Sequence, residues 1–291
     1  MSILGKGISF TIIGSICFIA MYTLIVVPDL FYLYDIRSNR GFDGIRFCFG
    51  FSNPNLLQIV LFAALTFTFL IYGKKMRSRS LLLILIVYFG ITYLTDSQTG
   101  FLVGIFITVG MLIIRKSTWS GISDVYFVVF VAGIIVMLAI SFLAAADIEK
   151  EFWMNHMNDF ISGRMNQLEL YTKTEFYALP YIWNWHLFSA RENKNWYDLG
   201  YIQLFYYYGI VVGCCYLAFV CHAVREAWMK RDSLGILLIT GLCMYLFMEA
   251  RYFTNYLTSD YLLMVSVIVL RRVTSETVLW GEYEEKIHKY I

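Results

Sequence analysis

Long apolar stretches divide the chain, and they constrain its fold more than any other feature. A helix that crosses a membrane needs about 17 to 25 predominantly apolar residues. We predict eight spans, at 8–27, 54–73, 80–95, 100–114, 124–146, 200–224, 234–249 and 256–270. Of the 291 residues, 59% are hydrophobic, against roughly 45 to 50% in soluble domains. We therefore expect an all-α integral membrane protein with about eight transmembrane helices.

Clusters of lysine and arginine follow every second predicted span. They are Lys74, Lys75, Arg77 and Arg79; Arg115 and Lys116; Arg225, Lys230 and Arg231; and Arg271 and Arg272. Such residues collect in short cytoplasmic loops. An even number of spans then places both termini in the cytoplasm and segments 28–53, 96–99, 147–199 and 250–255 outside. No small-residue cleavage signal follows the first span, which we expect to be a retained anchor.

The segment 147–199, between spans five and six, is the largest predicted outside insertion in what we interpret as a single polytopic domain, 1–291. Its apolar residues recur along one helical face, which predicts short amphipathic helices on the membrane surface. The members of that face are Trp153, Met157, Phe160, Ile161 and Leu168. Arg164 lies on the same face, so its guanidinium either extends to the headgroups or points into the protein.

Charge and cysteine content exclude several classes of function. The net charge of +2 gives no reason to expect a nucleic-acid partner. Five of the six cysteines lie in predicted spans and only Cys48 lies outside. This distribution predicts neither a disulfide framework nor a metal site, and we expect no cofactor.

The first predicted outside segment ends in residues that are suited to binding an anion. Asn53 and Pro54 are typical of a helix start, and Asn55 follows them. A helix N-terminus offers unpaired N–H groups and partial positive charge, and with Arg46 nearby it could hold a phosphate. The alternative is that these residues only begin span two while the arginine is solvated.

Further polar residues stand at the outer ends of other spans. The short polar segment 96–100 predicts a tight helical hairpin. Asp198, one turn from Tyr201, is either a helix cap or a general base at the start of span six. Glu249 and Arg251 lie near the outer end of span seven, where ionisable groups usually face a bundle interior or a cavity.

Taken in order, these polar motifs resemble the Wzy-type polysaccharide polymerases of the O-antigen ligase and polymerase superfamily. The motifs are Arg46 with 50–55, then 97–100, then 162–164, then 198–201 with Gly209. The resemblance covers roughly residues 37–260. The chain has Asn53 where histidine is common in that family, and Gln98 where arginine is common.

The resemblance implies a metal-independent glycosyltransferase of the bacterial cytoplasmic (inner) membrane. It would transfer a growing O-antigen, capsule or exopolysaccharide chain from polyprenyl pyrophosphate to a lipid-linked repeat unit on the outer face. The implied partners are the bilayer, these lipid-linked oligosaccharides, and a flippase and a chain-length regulator. The implied substrate-binding residues are Arg46, Arg164, Arg251, Asn53, Asn55 and Tyr201. Asp198 would be the first candidate catalytic base, and Glu249 the second.

Three other functions stay open. An O-antigen-ligase-like enzyme would pass the glycan to a different acceptor, although Asp198 stands where the ligases have histidine. A flippase or transporter of lipid-linked oligosaccharides would carry charges near the middle of the membrane, whereas these spans are almost free of charge. A non-catalytic scaffold would keep working after substitution of Arg46, Arg164 and Asp198.

Overall fold

The structure of the chain is a computed structural model that describes residues 14–15, 17–30, 32–34, 45–51, 54–73, 76–146, 181–189 and 199–249. Its helices, numbered here in chain order, are α1 (Cys17–Val26), α2 (Pro54–Tyr72), α3 (Ser78–Thr95), α4 (Gln98–Lys116), α5 (Ile122–Ala145), α6 (Gly200–Tyr207), α7 (Ile210–Met229) and α8 (Ser233–Met248). Two short strands precede α2, β1 (Tyr32–Tyr34) and β2 (Ile45–Phe47). Short 3-10 turns occur at Pro28–Leu30 and Ile182–Asn184.

The described part of the chain has the helical character expected of a membrane protein. Five of its helices, α2, α3, α4, α5 and α7, are long and apolar enough to cross a bilayer, and α1 and α8 are shorter apolar helices. The prediction of a mainly helical chain with several helices able to span a membrane is therefore confirmed, whereas the count of eight spans stays a prediction. The predicted span at 256–270 and the apolar face between Trp153 and Leu168 lie outside the described residues.

The pair of strands was not predicted. β1 and β2 are antiparallel, with Leu33 opposite Arg46 in the register. Their residues are mainly aromatic or β-branched, which are the types that favour strands. The small sheet lies within the predicted outside segment 28–53, and it fixes the backbone of Arg46 before the chain enters α2.

Helices α2 and α8 form the centre of the bundle. Every residue of α8 except Met244 is buried, and α2 is buried along most of its length. Close packing against α4 depends on small residues, as is common between membrane helices. A β-carbon on Gly110 would lie 2.4 Å from Leu237, and one on Gly241 would lie 2.5 Å from Ile107. By contrast, α3 exposes many apolar side chains, as a helix facing lipid does.

The sixth predicted span, 200–224, is wrong as a single helix, because the chain breaks between α6 and α7. Gly209 has a φ of 97°, and a β-carbon there would lie 2.7 Å from the backbone of Phe188. The N–H groups of Ile210 and Val211 donate to the carbonyl oxygens of His186 and Leu187, at 2.9 and 3.1 Å. Carbonyls from an earlier segment thus take the place of the previous helical turn.

Contacts between residues at the ends of helices define one end of the bundle. Nη1 of Arg231 donates to the carboxylate of Asp124, which also accepts from the indole of Trp228, both at 2.6 Å. Arg115, at the end of α4, contacts Ser78 at the start of α3. The loops after α2, α4 and α7 therefore share one end, which we call the basic end. The opposite end carries the turn between α3 and α4, which confirms the predicted tight hairpin.

Candidate functional site

Arg46 joins separate parts of the chain at the end of the bundle opposite the basic end. Its Nε donates to the carbonyl oxygen of Thr95 at 3.1 Å, and its Nη2 donates to that of Asp96 at 3.2 Å. Nη2 also donates to Oδ1 of Asn55 at 3.2 Å. The two carbonyls lie at the C-terminus of α3, where a helix carries partial negative charge. The hydrogen bonds and the helix dipole therefore both hold the guanidinium at this position.

Asn55 connects Arg46 to a buried carboxylate. Its Nδ2 donates to Oε2 of Glu249 at 3.2 Å, and Glu249 is only 2% exposed. An amide side chain has both an acceptor and donors, so one asparagine can bridge a cation and an anion. We call Arg46, Asn55 and Glu249 the Arg46 network. It holds a positive and a negative charge at a fixed separation across a neutral group.

The local sequence explains how Arg46 and Asn55 meet. After β2 the chain turns at Phe49 and Gly50, which have φ values of 49° and 85°. A β-carbon on Gly50 would lie 2.2 Å from the side chain of Thr23 in α1, so glycine is required by space as well as by conformation. The predicted helix start at Pro54 is confirmed, and it places Asn55 in the first turn of α2.

Glu249 reaches the network from the other end of the sequence. It follows the last residue of α8, and its N–H donates to the carbonyl oxygen of Tyr245 at 2.9 Å. Ionisable side chains in long apolar helices tend to face the interior of the protein, and Glu249 at the end of α8 does so. The interior position predicted for it from the sequence is therefore observed.

Asp96 belongs to the same site, although the sequence indicated only a turn at this position. It has left-handed backbone angles, φ 48° and ψ 46°, and its N–H donates to carbonyl oxygens of Thr92 and Tyr93. Its carbonyl accepts from Arg46. Its Oδ2 is buried and has no hydrogen-bond partner in the described structure. The available sequence signal was an aspartate, a residue tolerant of left-handed angles, next to the cap of α4.

A layer of buried polar side chains lies between α2, α3 and α4, on the side of the Arg46 network that faces the middle of the bundle. Nε2 of Gln58 donates to Oγ1 of Thr92 at 2.8 Å, and Oγ1 of Thr95 donates to Oε1 of Gln58 at 3.4 Å. The hydroxyl of Tyr88 donates to the carbonyl oxygen of Gly100 at 2.8 Å. A β-carbon on Gly100 would lie 2.3 Å from Gln58. This layer fixes α3, and with it the carbonyls that hold Arg46.

The remaining predicted site residues are not part of the Arg46 network as described. Tyr201 is fully buried in α6, and its hydroxyl donates to the carbonyl oxygen of Cys243 at 3.4 Å. Those are the contacts of a core residue. Asn53, Arg164, Asp198 and Arg251 lie outside the described residues.

An aromatic segment, 181–189, lies beside the broken helix. Trp185 stacks on Phe205 with a ring separation of 5.3 Å and an interplanar angle of 6°, which anchors the segment to α6. Trp183 stacks on Tyr181 and is 61% exposed. Aromatic residues of this kind occur at membrane interfaces and also stack on sugars.

An apolar groove of about 410 Å³ lies between α1, α2 and α3. Its lining includes Leu61, Ala64 and Leu65 of α2 and Val87, Tyr88 and Ile91 of α3. Ile91 is one helical turn from Thr95, the residue whose carbonyl holds Arg46. The groove therefore begins next to the buried polar side chains of Gln58 and Thr92, about one helical turn from the Arg46 network, and continues along α2 and α3 away from that network.

The described residues contain no group of three or more histidine, cysteine or carboxylate side chains that could hold a metal ion. Cys48 is buried beside Arg46, and burial raises the pKa of its thiol despite the opposing charge of Arg46. The polar side chains that the structure brings together at this site are those of Arg46, Asn55, Asp96 and Glu249.

Comparison of the chain with protein-family models, with curated proteins and with solved structures gives no match.

Proposed function

We propose that the protein is a polysaccharide polymerase of the bacterial cytoplasmic membrane. It transfers a growing glycan from polyprenyl pyrophosphate to a lipid-linked repeat unit on the outer face. The observation that carries this proposal is the Arg46 network, in which Asn55 bridges a cation and a buried carboxylate at the end of the bundle opposite the basic end. The polar motifs that resemble the Wzy-type polymerases support the same interpretation.

The reaction requires a cation that stabilises the negative charge of its leaving group and a base that accepts the proton of its nucleophile. The acceptor hydroxyl gives up its proton, its oxygen bonds to the anomeric carbon, and pyrophosphate leaves with the electron pair of the broken bond. A hydrogen bond to a charged group contributes about 1.5 to 3 kcal/mol. Arg46 supplies one such cation, and Arg164 and Arg251 are the further candidates. This chemistry needs no metal ion or other cofactor.

Asp198 is the first candidate base and Glu249 the second. An aspartate with an ordinary pKa of about 3.9 is ionised at neutral pH and can accept a hydroxyl proton. The hydrogen bond between Asn55 and Glu249 supports a positioning role for Glu249, in which its charge balances that of Arg46. Asn53 remains a candidate substrate contact by the resemblance alone, and Tyr201, which the resemblance also implies, is fully buried and takes no part in this mechanism.

The apolar groove supports a lipid-linked substrate. A polyprenyl chain could enter it between α2 and α3 while its pyrophosphate lies near Arg46, because the groove begins one turn below Thr95. The lysine and arginine residues of the basic end support a cytoplasmic position for that end. A flippase and a chain-length regulator are the protein partners expected of such an enzyme.

One observation favours a second function. Broken helices are common at the substrate sites of membrane transporters, and the chain breaks between α6 and α7. A transporter of the same lipid-linked oligosaccharides would move them across the membrane without joining them. The break here is filled by the carbonyls of His186 and Leu187, which favours a structural role for it.

The test is a polymer-length ladder from cells that lack the native protein and carry wild-type or variant chains at equal membrane levels. We expect Arg46→Ala and Asp198→Asn to reduce the ladder to single repeat units. The matched control is Arg79→Ala, an exposed arginine near the basic end, which should leave the ladder unchanged. Lipid-linked units that accumulate on the cytoplasmic side would favour the transporter, and full ladders from both site variants would contradict the proposed mechanism.

A further inference from the structure

Asp96 differs from its neighbours because its backbone is fully engaged while one of its carboxylate oxygens is not. Its N–H donates to carbonyl oxygens of α3 and its own carbonyl accepts from Arg46. Its Oδ2 is buried without a hydrogen-bond partner in the described structure. A buried polar atom without a partner is destabilising and rare in folded proteins. The presence of a carboxylate at this position therefore needs a physical explanation.

The turn between α3 and α4 does not require a carboxylate. Left-handed backbone angles are adopted by asparagine and, at no steric cost, by glycine. Either residue would serve the turn without burying part of a charged group. The cost of the carboxylate at this position is therefore not explained by the backbone.

The surroundings of Asp96 suit a neutral donor from a ligand. The guanidinium of Arg46 directs Nε and Nη2 to the two carbonyls and to Asn55, so its positive charge lies close to Asp96 without those bonds reaching the carboxylate. Asp96 as a whole residue is only partly buried, although its Oδ2 is not exposed, so a hydroxyl that approaches this end of the bundle reaches Oδ2 after the carboxylate rotates. A carboxylate repels phosphate but accepts strongly from a hydroxyl.

We propose that the carboxylate of Asp96 accepts a hydrogen bond from a sugar hydroxyl of the lipid-linked oligosaccharide. This inference rests on the proposed function and adds a sugar-binding position to it. Arg46 then faces the anionic part of the substrate, and Asp96 faces the first sugar. The two residues divide recognition of the pyrophosphate and of the glycan between them.

The test uses two substitutions that keep the left-handed turn, Asp96→Asn and Asp96→Gly. Polymerisation by membranes is measured against the concentration of lipid-linked repeat units extracted from cells that lack the protein. For Asp96→Gly we expect the KM to rise about 10- to 100-fold, the size of one hydrogen bond to a charged group, with little change in kcat. Asp96→Asn keeps one acceptor oxygen and should show a smaller rise.

Thermal unfolding of the purified proteins in detergent is the second measurement. Asp96→Asn should unfold close to the wild-type temperature, because asparagine tolerates the left-handed turn and no hydrogen bond of Oδ2 is lost. An unchanged KM in both variants would overturn the inference, as would a loss of activity that tracks a lower unfolding temperature. If the wild type binds the repeat units but never joins them, the proposed polymerase function fails, and direct binding to Asp96→Gly still tests the sugar contact.

Discussion

Asn55 lies between the side chains of Arg46 and Glu249. The negative charge can therefore be moved from position 249 to position 55 without changing the net charge of the network. In the wild type, Glu249 carries the negative charge and Asn55 donates to it. In the double variant Asn55→Asp with Glu249→Gln, the carboxylate lies beside Arg46, and the new amide at position 249 can donate to that carboxylate. The exchange therefore keeps the hydrogen bonds and moves only the charge.

We expect Glu249→Gln alone to weaken the network, because a hydrogen bond to a charged group is worth about 1.5 to 3 kcal/mol. Both the unfolding temperature and the polymer ladder should fall. The double variant should recover both, since Arg46 regains a negative partner. Recovery of the unfolding temperature without the ladder would instead mean that the carboxylate of Glu249 acts on the substrate directly.

At the scale of elements, packing of α4 against α2 can be tested with two glycines. Gly100 faces Gln58, and a β-carbon there would lie 2.3 Å from that side chain, whereas a β-carbon on Gly90 of α3 would meet nothing within 4 Å. Overpacking a buried site costs about 1 to 3 kcal/mol. We expect Gly100→Ala to lower the unfolding temperature and to reduce the ladder, because Gln58 holds the end of α3 that binds Arg46.

The control, Gly90→Ala, should unfold at the wild-type temperature or slightly above it, since alanine favours helix over glycine. Thermal unfolding in detergent measures both variants. Equal unfolding temperatures for the two alanine variants would mean that the polar layer around Gln58 adjusts without cost.

The elements differ in how far the sequence predicts them, and the reason is the range of the interactions involved. The start of α2 and the hairpin between α3 and α4 depend on neighbouring residues such as Pro54 and Ser97, and both were predicted. The break at Gly209 depends on carbonyls of His186 and Leu187, and no periodicity within 200–224 reveals it. The strands were missed because three residues each are too short for a pattern.

In the candidate site too, the sequence predicts what local interactions decide and misses what distant contacts decide. Arg46, Asn55 and Glu249 stand out individually because each is polar at the edge of an apolar stretch. Their pairing does not follow from the sequence, because Asn55 and Glu249 are 194 positions apart and only the packing of α2 against α8 brings them together. The role that we propose for Asp96 also depends on the structure, because an aspartate in a turn is ordinary until its buried oxygen is known.

At the scale of the whole molecule, the proposed mechanism depends on which end of the bundle faces outward. Trp119, in the loop between α4 and α5 at the basic end, and Trp183, in the aromatic segment, are each 61% exposed. Because their exposure is equal, these two positions are suitable for single cysteine substitutions whose labelling reports which side of the membrane each one faces. Native Cys48 is a weak competitor, because it is buried and its thiol pKa is raised, and maleimides react with the thiolate.

We expect a membrane-impermeant maleimide to label Trp183→Cys on intact cells. Trp119→Cys should be labelled only after the membrane is permeabilised, because the lysines and arginines near it favour the cytoplasmic side. Labelling of the unsubstituted chain gives the background for both. The opposite pattern would place the Arg46 network on the cytoplasmic face, where lipid-linked units are not yet exported, and an outer-face polymerase could not use it.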